Sequence, residues 1–160
     1  MKEEVTLDKV KGILLSRKDY LKEVEAVGIF GSLARGNFGE RSDIDIFVIL
    51  RGWKNGDDPQ TEWYRRLSKL FSHYRRDVTV LVYSIMGLKK VATWHTLRLA
   101  SEGILAYDRG RVKKIFEAIV AEAKRVGLVE RQIGTRKVWM MNRPLERGEI
   151  IKIEVTDDKL

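Results

Sequence analysis

GSLARGNFGERSDIDIF, residues 31–47, interrupts the most hydrophobic part of the chain with a Gly-Ser pair, two further glycines and two aspartates one residue apart. Before it, EAVGIFG (25–31) reads as a strand that ends at glycine; after it, IDIFVIL (44–50) is apolar on both faces except at Asp45, the pattern of a strand inside a sheet. A strand sends successive side chains to opposite faces, so Asp43 and Asp45 share one face, roughly 7 Å apart. Such carboxylates repel each other, and burying them unpartnered is costly. A bound divalent cation reverses the local field and makes the pair an asset.

Magnesium suits this arrangement, because it accepts one or two carboxylates and fills its shell with waters and phosphate oxygens. Asp77 opens the next strand-like run, DVTVLVY (77–83), and supplies a third acid, enough for two ions, if that strand lies beside 44–50. Gly31 and Ser32 stand where a strand turns into a short helical segment; glycine admits a ligand close to the backbone, and exposed amides with the serine hydroxyl suit an anion. A phosphate cradle facing metal-binding carboxylates is equipment for phosphoryl or nucleotidyl transfer. Taken singly, a Gly-Ser is a turn, SDID a polar strand entrance and Asp77 a strand cap pairing with Arg75 or Arg76. Their order and spacing carry the functional reading.

Outward from this segment, residues 7–21 carry Leu7, Val10, Ile13, Leu14 and Leu21 near helical spacing, with Thr6 as N-cap. Asp58 before Pro59 predicts a helix start, and Trp63, Leu67, Leu70 and Phe71 mark its buried face. Ser84 is expected to cap a helix running to about Ser101, and EGILAYD is extended again. Residues 111–126 form the clearest helical stripe, through Val112, Ile115, Phe116, Ile119, Val120 and Ala123. In the tail, KVWMMN and EIIKIEV around RPLERG suggest a hairpin or edge strands. Helices alternating with strands make this an α/β or α+β domain, with residues 1–108 as its main part and 109–160 as a helix and β extension packed on it.

The 160 residues, 44% hydrophobic and 34% charged, argue against disorder and fit one core. The absence of cysteine removes disulfides, argues against zinc and fits a reducing cytoplasm. The opening MKEEVTLDKVKGILL has no signal cleavage region, and no apolar run reaches membrane-spanning length. The net charge of +8 favours an anionic partner, but lysines and arginines are spread along the chain, as on a well-solvated or heat-adapted surface. The Arg65, Arg66, Arg75 and Arg76 cluster reads as a solvated face before a nucleic-acid patch. His73 and His95 lack ligand spacing; Trp63, Trp94 and Trp139 read as core or interface, and Trp53 as exposed.

Gly31 and Ser32, ten residues, Asp43-x-Asp45 on a strand, and Asp77 on a later one resemble the nucleotidyltransferase superfamily typified by DNA polymerase β. The resemblance covers residues 24–83 and implies an α+β fold, a mixed sheet flanked by helices. It implies that Gly31 and Ser32 hold a nucleoside triphosphate, with Arg35 and Ser42 at positions often filled similarly. It also implies that Asp43 and Asp45 ligate both metals, and that Asp77 completes the ion nearer the attacking group. More narrowly the chain resembles the minimal nucleotidyltransferases, many encoded beside a HEPN-domain ribonuclease. That implies transfer of AMP from ATP to a protein hydroxyl, in the manner of an antitoxin silencing its HEPN toxin. Nucleotidylation of a small molecule and a docking module with vestigial nucleotide binding are the alternatives. Direct nucleic-acid binding is not expected, and self-association is left open.

Overall fold

One cluster of buried apolar side chains gathers on one side of a four-stranded sheet and a second on the other, because the central strand is apolar in both directions. The computed structural model describes residues 2–134 and 136–160. Strands β1 (Ala26–Phe30), β2 (Ile44–Leu50), β3 (Val78–Ser84) and β4 (Ile104–Asp108) lie in the order β3-β2-β1-β4. β2 is antiparallel to β1 and parallel to β3, so the sheet is mixed, as expected.

The period of two in β2 divides the molecule. Ile44, Ile46, Val48 and Leu50 enter the cluster formed with helices α1 (Leu7–Ser16) and α4 (Pro59–Leu70), while Phe47 and Ile49 face the other way. There they meet α5 (Ile85–Lys90), α6 (Trp94–Glu102) and α7 (Val112–Arg125), with Phe47 and Phe116 ring centroids 5.7 Å apart. Asp43 and Asp45 have the parity of Phe47, which puts them on the α6 side. Gly28 pairs with Phe47, and a Cβ there would overlap both the Phe47 ring and the Ile104 carbonyl. Gly28→Ala should therefore lower stability by ~1–3 kcal/mol, read as a fall in urea midpoint.

α4 starts as predicted, with Asp58 accepting from the Thr61 amide and Pro59 in the first turn. Gln60 shields the outer edge of β3: its amide nitrogen donates to the Val80 carbonyl (2.6 Å) and its oxygen accepts from the Val82 amide (3.1 Å). α7 buries Val112, Ile115, Phe116, Ile119 and Ala123 on the sheet; Val120 is only half-buried. Its start is tied to β4 by Asp108, whose carboxylate accepts from the amides of Gly110 (2.9 Å) and Lys113 (2.8 Å).

Four expectations need correction. The first helix stops at Ser16; Arg17 leaves helical geometry, grips Asp19 (2.8 Å), and a separate turn, α2 (Lys18–Leu21), brings Tyr20 edge-on to Trp63 at 5.4 Å. The Ser84-capped helix ends at Lys90, because Val91 adopts φ +44° and Thr93 caps a new helix. The C-terminal hairpin pairs β5 (Leu128–Ile133) with β6 (Arg136–Met141); EIIKIEV joins no ladder, though Ile153 and Val155 are buried and the Val155 amide donates to the Lys89 carbonyl. Trp94 is 58% exposed, which removes the core half of its reading as core or interface.

Candidate active site

β1 runs out at Phe30, opposite Asp45, and the chain turns at once into α3 (Gly31–Arg35). The turn requires φ +69° at Gly31 and brings its backbone against the Asp45 side chain: a Cβ would overlap Oδ2 and lie 2.8 Å from Cγ. Glycine meets both demands, left-handed backbone and close approach. α3 ends at Gly36 (φ +83°), and the Asn37 amide donates to the Ser32 carbonyl at 3.0 Å, which leaves the half-buried Ser32 at the head of the turn.

The loop from Asn37 to Ser42 is braced rather than loose. The Ser42 hydroxyl accepts from the Gly39 amide (2.9 Å), and Arg76 donates to the carbonyls of Gly39 and Ser42, both at 2.8 Å, while lying over the Phe38 ring. Ser42 thus has its hydroxyl turned into the loop, and Arg76 is a clamp between the loop and the start of β3. Arg66 is likewise engaged, with Glu23 (2.8 Å) and Glu62 (2.5 Å). Of the arginine cluster, these two are bound into the fold.

Asp43 is exposed, Asp45 half-buried, and Thr79 pairs with Asp45 across the parallel ladder. The Thr79 hydroxyl donates to Asp43 at 3.5 Å, so the residue paired with Asp45 in the ladder also reaches the other carboxylate. Asp77 is exposed at the mouth of β3, and its carbonyl accepts from the Ile44 amide (2.9 Å). Among the described residues, no three Asp, Glu, His or Cys side chains are gathered closely enough to form a metal-binding group. Arg35 pairs with Glu102 of α6 at 3.6 Å and adds positive potential near Asp45.

Burial pushes the Asp45 carboxyl above its ordinary value; the Thr79 hydrogen bond opposes this, the neighbouring Asp43 charge adds to it, and Arg35 opposes it weakly. An acid whose pKa rises on folding favours the folded state below the ordinary carboxylate value, and loses that advantage as pH climbs through the folded value. Asp45→Asn should therefore raise the melting temperature by a few degrees at neutral pH without divalent ions, the gain vanishing toward pH 3 in a calorimetric pH series. A pair that repels itself, with neither carboxylate in an ion pair with Lys or Arg among the described residues, matches a divalent cation held by two carboxylates with waters and phosphate oxygens completing the shell.

Sequence reasoning did not single out Thr79, Arg98 or Glu102. Thr79 was findable by parity, two residues beyond Asp77; the α6 residues were not, because their approach to the site depends on how that helix packs.

A family model described as a nucleotidyltransferase domain matches residues 7–101. A protein adenylyltransferase of Thermococcus cleftensis, MntA, is 43% identical over 47 residues, 28% of this chain and 48% of that protein. A candidate protein adenylyltransferase of Methanocaldococcus jannaschii is 52% identical over 46 residues, 27% of this chain and 54% of its own length. The chain thus spans about half the length of these relatives. Among solved structures, a toxin–antitoxin crystal structure with AMP-PNP superposes with TM-score 0.50 at 19% identity, covering 66% of this chain and 79% of that one. A mutant of a toxin–antitoxin pair containing MntA gives 0.51 at 19% identity, with 76% and 88% covered; both likenesses are of fold.

Proposed function

Because the chain belongs to the nucleotidyltransferase domain family, we propose that it transfers AMP from ATP to a hydroxyl of a protein partner, and that a HEPN-domain toxin is the partner it silences. The observation that carries this is the Asp43–Asp45 pair at the head of β2, with Asp45 packed against the Gly31 turn. The adenylyltransferase names of the relatives favour a protein acceptor over a small molecule.

In this reading Gly31 and Ser32 receive the triphosphate, and Arg35 offsets its charge at the same turn. The acceptor oxygen bonds to the α-phosphorus as the bond from that phosphorus to the bridging oxygen breaks. Pyrophosphate leaves with the electron pair. Asp77, exposed at the mouth of β3 where its carbonyl meets the Ile44 amide, takes the hydroxyl proton, a role suited to a carboxylate open to an incoming partner. Magnesium, when held by Asp43 and Asp45, supplies charge neutralisation at the phosphate oxygens. Thr79, paired with Asp45 in the ladder and donating to Asp43, links the two carboxylates.

The test is incubation with magnesium, ATP labelled at the α-phosphate and a HEPN-domain protein encoded beside this chain. Label should appear on the partner with release of pyrophosphate, and mass spectrometry should place AMP on a hydroxyl side chain. An unlabelled partner under conditions where ATP is bound would overturn the reading.

A further inference from the structure

Beyond the carboxylates, the site continues into a chamber that the Gly-Ser and Asp-x-Asp motifs do not account for. A cavity of about 240 Å³ bounded by Gly31, Asp45, Leu81 and His95 shares Arg35, Arg98 and Glu102 with a larger one of about 610 Å³. The larger one is walled by Trp94 of α6 and by Arg136, Lys137 and Trp139 of β6. The β6 wall lies outside residues 7–101, where the family likeness ends. Cations outnumber acids here: Arg35 is paired with Glu102 and Lys137 with Glu130 (3.7 Å), while Arg98 and Arg136 have no carboxylate partner among the described residues. Two indoles complete the lining, Trp94 largely exposed and Trp139 fixed by its ring N–H donating to the Ser101 hydroxyl at 3.3 Å.

Guanidinium groups without partners ask for an anion, indole faces ask for a planar ring, and the volume is that of a small-molecule site rather than a flat protein interface. A nucleoside polyphosphate carries both features on one molecule. Resting on the reading of the carboxylates above, we propose that the C-terminal hairpin forms the far wall of the donor site, with Arg98, Arg136 and Lys137 meeting the polyphosphate and Trp94 and Trp139 facing the base. Residues 109–160 thereby belong to the nucleotide site.

The experiment is calorimetric titration of the full chain with two probes in the absence of acceptor: a non-hydrolysable ATP analogue, and inorganic tripolyphosphate. The double variant Arg136→Ala/Lys137→Ala should weaken both probes by roughly tenfold or more, as loss of charge-assisted contacts does. Trp94→Ala should weaken the analogue by roughly fivefold or more and leave tripolyphosphate unchanged, since stacking acts only on the base. All three side chains are exposed, so folding, checked by circular dichroism, should be intact. Wild-type affinity of these variants for both probes overturns the proposal; equal loss of both probes in Trp94→Ala overturns the assignment of the base. Binding here is independent of transfer. If the hairpin variants lose the analogue but wild-type chain labels no acceptor, the transferase reading fails and this one stands; if they bind normally while label is transferred, the reverse holds.

Discussion

With Asp43 and Asp45 both replaced by asparagine, AMP transfer should fall by roughly a thousandfold or more while the protein folds at least as well as the wild type. The two effects follow from one feature. Asp43 and Asp45 are isosteric with asparagine, and the apolar neighbours of β2 on both faces are untouched by the change. What disappears is charge: the mutual repulsion that helps hold the Asp45 carboxyl above its ordinary value, and with it the attraction for a cation. Thermal melts with and without magnesium separate the two. Magnesium should raise the wild-type midpoint and leave that of the variant in place, while without magnesium the variant should melt higher. A variant that transfers label at the wild-type rate sinks the proposed chemistry. One that loses transfer but also loses its fold leaves Asp45→Asn alone, with its pH-dependent gain in stability, to decide.

The two carboxylates were legible because their signal is local. A period of two in IDIFVIL puts Asp45 among buried neighbours, and parity alone puts Asp43 beside it. The helices at Asp58–Pro59 and beyond Arg111 were legible for the same reason, each resting on a cap or a stripe within one element, whereas the mixed sheet followed only from the family resemblance. Of the hairpin only the strand in KVWMMN was legible; its partner was not, because LVERQI buries only Leu128 and carries polar side chains on a two-stranded ribbon, where alternation says little. The break at Val91 was visible only as Thr93, a second cap inside what looked like one helix. Thr79 was hidden by its chemistry, since threonine is ordinary in strands and gains a role here only through the register that sets it opposite Asp45. Arg98, Glu102 and Arg136 come from elements distant in sequence, and only tertiary packing brings them to one cleft.

Gly31→Ala should lower transfer by roughly a hundredfold or more, and the cause can be isolated. Two penalties act at this position: φ +69° is strained for alanine, and the new methyl group would occupy the space of Asp45 Oδ2. Strain alone costs ~1–2 kcal/mol, visible in stability and indifferent to chemistry. Displacing the carboxylate is different in kind, because a shift of about 1 Å in a reacting group can cost about a hundredfold in rate. Gly36 provides the control. It has φ +83° and nothing within 4 Å of where an alanine methyl would sit, so Gly36→Ala carries the strain without the collision. Both variants should lose stability in urea, Gly31→Ala the more because it adds the collision to the strain; Gly36→Ala should keep its transfer rate within a few-fold of wild type and Gly31→Ala should not. Equal rates in the two would mean that close approach of the turn to Asp45 has no part in catalysis. A selective loss at Gly31 ties the glycine of the opening motif to the position of one carboxylate oxygen, a stricter requirement than leaving room for a phosphate.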